Sequence, residues 1–135
     1  MRLIQEQYRG DAWKVLVSSL FLKRTRGDVV EKIIRDFFKR FPHPQDFLQE
    51  TRENIEELIR PLGLWRNRAK EIKNIASWLV ENGTPKTRDE VLSIKGAGGY
   101  VADSYSIFVL EDFSVSPKDE KLKAYLAETK EKKGR

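Results

Sequence analysis

The chain of 135 residues has no cysteine, one methionine and one histidine. The missing cysteine excludes disulfides, a thiol nucleophile, a cysteine zinc site and a thiolate-held iron–sulfur cluster. The lone histidine, His43, lies between two prolines and cannot form a metal site alone. No apolar run approaches membrane-spanning length and no signal peptide is visible, so we expect a cytoplasmic protein that makes no membrane contact.

What the sequence does contain is charge. Charged residues make up 35% of the chain and hydrophobic residues 39%, with a net charge of +5. A basic surface suits a polyanion partner, but part of the excess lies in residues 130–135 and fits a solvated end equally well. The length predicts one domain with its own core, over residues 1–128, followed by a charged, flexible tail over residues 129–135.

Apolar residues recur at helical spacing along almost the whole chain, and no segment alternates as a strand would. The predicted helices cover residues 11–24, 28–41, 45–48, 51–60, 65–82, 87–94 and 100–110, with a last helix opening at Ser116 and Pro117. Asp11 is a predicted N-cap, and Thr87 with Glu90 forms a predicted capping box. Pro117 is expected at the first position of the last helix. The predicted fold class is all-α, with many short helices in one domain.

A glycine-rich turn at residues 95–99, K-G-A-G-G, separates two of these helices. Glycine lets a backbone turn tightly and approach a ligand closely, and the amides that open the next helix favour an anion. An ordinary tight turn is the alternative. Because helices flank the turn on both sides in a basic protein, a hairpin that holds phosphate is the better hypothesis.

Asp119 follows this hairpin at the start of the last predicted helix, at position N3 if Ser116 is the cap. A carboxylate there lies at the positive end of the helix dipole and is often only a capping group. A positioned carboxylate can also stabilise a cationic sugar or orient a water molecule. Glu111, Asp112 and Glu120 lie nearby, and composition does not choose among the four.

Several separated motifs occur in an order that resembles the helix-hairpin-helix DNA glycosylase superfamily, which includes endonuclease III. They are L-I-Q-E at residue 3, D-A-W-K-V-L-V-S-S-L-F-L-K-R-T at residue 11, P-L-G-L at residue 61, R-A-K at residue 68, G-A-G-G-Y at residue 96 with D-S-Y and I-F after it, and S-P-K-D-E-K-L at residue 116. Within the superfamily, the chain is most similar to the glycosylase domain of methyl-CpG-binding thymine/uracil mismatch glycosylases.

The resemblance implies a compact helical fold with the active site in a cleft beside the hairpin, and roles for individual residues. Asp119 matches the catalytic aspartate, which stabilises an oxocarbenium-like sugar. Tyr100 matches the position where bifunctional members carry a lysine nucleophile, and there it would line the base pocket; a core tyrosine is the alternative. Gln5 matches a glutamine that hydrogen-bonds the flipped pyrimidine, although a solvent-exposed residue is as plausible.

The resemblance also implies a DNA-binding surface. Arg24 matches an arginine that enters the duplex where the base left, with a phosphate contact or a plain surface charge as alternatives. Leu64 matches an apolar wedge beside the orphaned guanine, with a core leucine as the alternative. The hairpin residues, together with a lysine of the last helix, are expected to contact the DNA backbone; they are Lys95, Gly96, Gly98, Gly99 and Lys121.

Some positions depart from the family pattern. Ser19 stands where adenine glycosylases carry a catalytic glutamate, so removal of adenine is not expected. Lys95 replaces a common proline, and Gly99 replaces a basic residue common before the pocket position. No cofactor is expected, although hairpins of this family often hold a monovalent cation on backbone carbonyls.

The sequence therefore predicts a monofunctional DNA glycosylase of base excision repair. It would flip thymine or uracil mispaired with guanine out of the duplex and hydrolyse its N-glycosidic bond, without AP-lyase activity. The alternatives are a glycosylase for another damaged base and a non-catalytic helix-hairpin-helix DNA-binding module. The expected partner is double-stranded DNA with a mismatched or damaged base. We expect a monomer, associated with the nucleoid if the source is prokaryotic.

Overall fold

The computed structural model describes residues 3–63 and 65–133, with side chains described through Lys130. A short 3-10 helix, Ile4–Tyr8, precedes eight α-helices, and a second 3-10 helix, Arg60–Leu62, follows the fourth. The α-helices are α1 (Ala12–Leu22), α2 (Gly27–Arg40), α3 (Pro44–Gln49), α4 (Arg52–Ile59), α5 (Trp65–Asn82), α6 (Arg88–Leu92), α7 (Gly98–Phe108) and α8 (Glu120–Lys133). No strand occurs in the described ranges, so the predicted all-α class is confirmed.

Two helices, α1 and α7, form the centre of the molecule. Eight consecutive residues of α7, from Val101 to Phe108, are buried, and α1 is buried over nearly its whole length. A helix that is apolar almost all round must be covered on every side. Accordingly, α1 packs against α7, α5, α2 and the N-terminal 3-10 helix. The glycine hairpin lies at the N-terminal end of α7, and Arg24 follows the C-terminal end of α1.

An aromatic cluster fixes α2 and α3 against α1. The Phe37 ring lies edge-on to Phe21 at 5.3 Å and to Phe41 at 5.0 Å between centroids. Trp13 donates its indole N–H to the Phe41 carbonyl at 2.9 Å, so this large side chain is buried with its polar group paired. Such packing makes α1 a rigid support for the residues at its C-terminal end.

The last helix packs against α1 and α7 through a second, smaller core. Leu122, Tyr125 and Leu126 pack there with residues of both central helices, and the Tyr125 ring lies 5.0 Å from that of Phe108. The Arg9 guanidinium donates a hydrogen bond to the Tyr125 hydroxyl, which ties the N-terminal segment to α8. Helix α8 continues to Lys133, five residues beyond the predicted domain boundary at 128.

Of the three predicted helix starts, one forms as predicted, one forms in part and one is wrong. Asp11 caps α1 by accepting the Lys14 N–H at 3.0 Å, as predicted. Thr87 accepts the Glu90 N–H, but the Glu90 carboxylate accepts from Lys86 N–H instead of returning to Thr87, so only half of the capping box forms. The predicted start of the last helix at Ser116 and Pro117 is wrong.

The actual start of α8 is Glu120, because Asp119 supplies the cap. Its Oδ2 accepts the Leu122 N–H at 2.9 Å, and its carbonyl accepts the Lys123 N–H at 3.0 Å. Those two bonds define an N-cap residue. The predicted start had Ser116 as the cap, because proline suits the first helical position, but the side chain that caps α8 is that of Asp119. Asp119 is therefore the N-cap and not position N3.

Candidate active site beside the hairpin

The hairpin at residues 95–99 joins α6 to α7 and has the backbone conformation that its glycines suggest. Gly96 has φ +93° and Gly98 has φ +77°, a region that other L-residues seldom adopt. Ala97 is buried and gives α7 no side-chain cap, and Gly99 is exposed. The N-terminus of an eleven-residue helix thus lies open beside a tight turn, which is the arrangement that favours an anion.

Side chains from two other helices hold the carbonyl groups of the hairpin. Asn74 of α5 donates to the Lys95 carbonyl at 3.1 Å. Lys23, at the end of α1, donates from Nζ to the carbonyls of Gly96 and Ala97 at 3.2 and 3.4 Å. The hairpin is therefore held by side chains that follow α1 and belong to α5, and is not a free loop.

Tyr100 lies one residue beyond the hairpin and connects it to the N-terminal segment. Its hydroxyl accepts a hydrogen bond from Gln5 Nε2 at 2.8 Å, across 95 residues of sequence. Burial is the main cause that raises the pKa of the phenol above its ordinary value. The hydrogen bond from Gln5 lowers this pKa and the Asp119 carboxylate raises it, so Asp119 lies within electrostatic range of the phenol.

Gln5 is 1% exposed, which rules out the solvent-exposed alternative for this residue. Its Nε2 donates to Ser104 Oγ at 3.3 Å as well as to Tyr100. Its Oε1 is buried and has no hydrogen-bond partner among the described residues. A buried amide oxygen without a partner is costly in an unliganded protein, so this atom is a candidate ligand-binding group.

The predicted DNA-contacting side chains are placed in different ways. Arg24 is exposed immediately after α1, and Lys95 and Lys121 are exposed on the hairpin and on the first turn of α8. Leu64, the predicted wedge, lies outside the described residues. The competing acids Glu111 and Asp112 lie in the exposed link before α8, and the Asp112 carboxylate accepts hydrogen bonds from Ser114.

Buried Arg68 fixes the turn that carries Arg24. Its guanidinium donates to the carbonyls of Leu20 and Phe21 at the end of α1, and to Thr25 Oγ1 at 2.9 Å. Desolvation by burial lowers the pKa of this guanidinium. The R-A-K motif therefore has a structural role that the sequence did not show.

Three further residues at the site were not predicted. Ser104 is one helical turn after Tyr100, so the i, i+4 spacing could have revealed it. Lys23 had no local signal, because its contacts depend on tertiary structure. Arg88 pairs with buried Asp103 at 2.8 Å, and its Nη2 lies 4.0 Å from where a Cβ on Gly99 would stand. A guanidinium from α6 thus lies beside the position at which the family's basic residue is missing.

Features that would support other kinds of chemistry are absent from the described residues or lie away from the hairpin. Ser19 is buried and donates to the Val15 carbonyl of its own helix at 2.6 Å. No group of three or more histidine, aspartate or glutamate side chains could hold a metal ion within the ranges described. A cavity of about 430 Å³ lies between α3, α4 and α5, away from Tyr100 and Asp119. None of the described helices is long and apolar enough to cross a membrane.

Known proteins share both the sequence and the fold. The chain is 34% identical over 125 residues to the methyl-CpG-binding domain protein 4-like protein of Arabidopsis thaliana, covering 91% of this chain and 27% of that protein. It is 38% identical over 96 residues to a thymine/uracil-DNA glycosylase of Pyrobaculum aerophilum, covering 69% of this chain and 42% of the relative. The chain thus spans less than half the length of these curated relatives.

Solved structures give the same fold. A thermostable thymine-DNA glycosylase superposes with a TM-score of 0.76 at 24% identity, over 84% of this chain and 54% of that one. A trapped endonuclease III–DNA covalent intermediate superposes with a TM-score of 0.68 at 26% identity, over 72% of this chain and 47% of that one. Residues 17–132 match the HhH-GPD superfamily of base excision DNA repair proteins, so the chain belongs to this family, as its motifs suggested.

Proposed function

We propose that the protein is a monofunctional DNA glycosylase, which hydrolyses the N-glycosidic bond of thymine or uracil paired with guanine. The observation that carries this proposal is the hydrogen bond of Gln5 to Tyr100 at the exit of the hairpin, with Gln5 Oε1 buried and without a partner among the described residues. The Asp119 carboxylate acts on the same phenol electrostatically. The relative named as a thymine/uracil-DNA glycosylase supports the same substrate class. The proposed partner is duplex DNA, bound by a monomer.

Base recognition follows from how Gln5 is held. Because Nε2 donates to Tyr100 and Ser104, the free atom of the amide is the acceptor Oε1. Thymine and uracil present an N–H at N3, which can donate to this oxygen, whereas cytosine presents a lone pair there. The N3 lone pair of cytosine would face Oε1, and two acceptors without a proton between them would cost about 1–3 kcal/mol. In this proposal, a free acceptor at Gln5 Oε1 suits the N3–H of thymine and uracil.

Asp119 provides the charge for bond cleavage. As the bond between C1′ and the base nitrogen breaks, its electron pair leaves with the base and the sugar becomes cationic. The Leu122 N–H holds one carboxylate oxygen, so the group is oriented before the reaction. A preoriented anion stabilises the developing cation without reorganisation. Water then adds to C1′, and the carboxylate accepts the proton that this water loses.

Tyr100 accounts for the absence of lyase activity in the proposal. A lyase of this family forms a Schiff base between a lysine amine and the sugar, and a phenol cannot form one. Burial also raises the pKa of Tyr100, so the group stays protonated and is a poor nucleophile. In this proposal, the nucleophile is therefore water.

A panel of duplexes tests the proposal. The substrates are G·T, G·U, A·U, hypoxanthine and oxidised guanine, and abasic sites are scored by alkaline strand cleavage. We expect cleavage of G·T and G·U, and no strand break without alkali. Cleavage confined to hypoxanthine or oxidised guanine would favour a different damaged base. Duplex binding without any base release would favour a non-catalytic DNA-binding module.

Borohydride trapping tests monofunctionality separately. The reagent reduces a Schiff base to a stable covalent link, so a lyase gives a protein–DNA band on a denaturing gel. We expect no such band with this protein on a G·U duplex under conditions where uracil is released. A bifunctional endonuclease III serves as the positive control. A covalent band with this chain would refute the monofunctional mechanism.

A further inference from the structure

The carbonyl side of the hairpin already contains a positive charge. Lys23 Nζ lies within hydrogen-bonding distance of two consecutive carbonyls, those of Gly96 and Ala97, and Asn74 binds the carbonyl before them. Lys23 directly follows α1 and is 73 residues away from Gly96 in sequence. Its side chain is half-buried, while the adjacent Arg24 is exposed. The ammonium group is therefore directed inward to the hairpin and Arg24 outward.

The hairpin is shaped around this ammonium group. A Cβ on Gly98 would lie 3.2 Å from Lys23 Nζ and 3.7 Å from its Cε. Gly98 also has a positive φ, so it is favoured for two independent reasons, conformation and space. On the other side, a Cβ on Gly96 would lie 2.8 Å from Cγ of Glu71. Lys23 and Glu71 thus enclose the turn from α1 and α5.

These contacts conflict with a monovalent metal ion at the same place. A bound alkali cation needs several backbone oxygens at close range, and two of the hairpin carbonyls here accept from Lys23 while a third accepts from Asn74. A metal ion would have to displace the ammonium or lie beside it, and two like charges at such distance repel each other. The described residues do not fit the cation that the family resemblance implied.

We infer that the ammonium group of Lys23 is the permanent cation of the hairpin, so that its grip on DNA phosphate does not require an exchangeable monovalent ion. The positive charge neutralises the inward carbonyls and holds the turn with its amides facing outward. Lys23 is a positioning residue in this account, since it acts through the hairpin and not on the DNA. The inference rests on the proposed function, because it assumes that the hairpin binds a DNA phosphate.

The test compares cations at one fixed ionic strength. Affinity for a duplex with a tetrahydrofuran abasic analogue opposite guanine is measured by fluorescence anisotropy in potassium, sodium and N-methylglucamine chloride. The last cation is too large to enter a ring of carbonyls. We expect equal affinity of the unmodified protein in all three salts. A loss of affinity of about tenfold in N-methylglucamine would overturn the inference, because this is the size of one charge-assisted contact.

Two substitutions of Lys23 sharpen the comparison. Lys23→Met keeps the length of the side chain and removes the charge, so we expect about tenfold weaker binding in N-methylglucamine and partial recovery in potassium, which can then occupy the vacated carbonyls. Lys23→Arg keeps the charge and should bind equally in every salt. Lys39→Met is the matched control, because Lys39 is an exposed lysine near the end of α2. If Lys23→Met behaves like Lys39→Met, the inference is wrong.

Hydrogen exchange without DNA separates this inference from the proposed function. Amide exchange at residues 96–100 reports the order of the hairpin directly. We expect faster exchange there in Lys23→Met than in Lys39→Met, with unchanged exchange in the buried centre of α7. Failure of the unmodified protein to bind any duplex would overturn the proposed function, whereas identical exchange in both variants would overturn the role of Lys23. Lys23→Gln also removes the charge and provides the same readout if Lys23→Met does not fold.

Discussion

Single residues at this site have more than one role, and Asp119 shows this most clearly. The carboxylate that is proposed to stabilise the sugar cation also caps α8 through the Leu122 N–H. If the proposal is correct, catalysis and local stability depend on the same carboxylate. A useful substitution must remove the charge but retain the cap, so that a loss of activity is not a loss of structure.

Asp119→Asn meets this condition, because asparagine caps a helix about as well as aspartate does. We expect an unchanged thermal midpoint and retained duplex binding, with base release slowed by about a hundredfold or more. Single-turnover release of uracil from a G·U duplex measures the rate. Glu120→Gln, one residue later and exposed, is the control and should be near normal. Normal release by Asp119→Asn would exclude this carboxylate from the chemistry.

At the scale of elements, the hairpin offers two glycines with different requirements. Gly96 has φ +93° and little space, since a Cβ would lie 2.8 Å from the Glu71 side chain. Gly99 has an ordinary helical conformation, and a Cβ would meet only the Arg88 guanidinium at 4.0 Å. The two positions therefore form a matched pair in one turn.

Gly96→Ala should destabilise the fold by about 1–2 kcal/mol, since alanine is strained at positive φ. We also expect weaker duplex binding, because the turn must shift away from Glu71. Gly99→Ala should leave stability within about 0.5 kcal/mol, as expected for an exposed helical position without strain. Urea unfolding measures both. Equal effects at the two positions would show that backbone conformation is not what the hairpin requires.

A second prediction concerns the end of α1. Arg68 binds two terminal carbonyls of this helix and Thr25 with one planar guanidinium, a set of contacts that an ammonium cannot reproduce. We expect Arg68→Lys to lower the free energy of unfolding by about 1–3 kcal/mol, the cost of leaving a buried acceptor unpaired. Duplex binding should also weaken, because Arg24 loses its support.

Arg66→Lys is the matched control on the same helix. Arg66 is exposed and lies over the Trp65 ring at 4.9 Å, a contact that lysine can also make. Its effect should stay within about 0.5 kcal/mol, as for other surface substitutions. If both variants unfold at the same urea concentration, Arg68 does not secure the end of α1.

At the scale of the whole molecule, buried tyrosines link stability to alkaline pH. Burial is the main cause that raises the pKa of Tyr8, Tyr100 and Tyr105 above the ordinary value of 10.0. Tyr105 is fully buried and donates its hydroxyl to the Pro85 carbonyl at 2.5 Å. In the unfolded chain these phenols ionise near their ordinary pKa, while in the folded protein they remain protonated to higher pH.

The folded state therefore binds more protons than the unfolded state above the ordinary tyrosine pKa, and stability decreases as pH rises there. Below that pH, the contribution of the tyrosines to the free energy of unfolding is fully present. We expect the urea midpoint to fall between about pH 9 and pH 11, and to fall less steeply in Tyr105→Phe. Comparing the two slopes removes the contribution of the lysines, which both proteins share. Parallel slopes would show that Tyr105 does not cause the loss.

Local patterns predicted the elements more accurately than the contacts between them. The apolar spacing of α5 gave its bounds, and Asp11 capped α1 as expected, since these features depend on neighbouring residues alone. The start of α8 was misplaced because Pro117 and Asp119 both suit a helix start and only the path of the preceding link decides between them. The environment of Gln5 and the reach of Lys23 to the hairpin depend on packing between distant segments, for which periodicity carries no signal.

The hydrogen bond between Gln5 and Tyr100, and the electrostatic effect of Asp119 on that phenol, have a consequence for synthesis of the protein. The three groups come from an early segment, from α7 and from the start of α8, and α8 is held in turn by the contact between Arg9 and Tyr125. A nascent chain whose α8 is still inside the ribosome contains the glutamine that is proposed to bind the base, but its Asp119 carboxylate is not yet in place. In the proposed mechanism, such an unfinished chain cannot cleave a base from DNA.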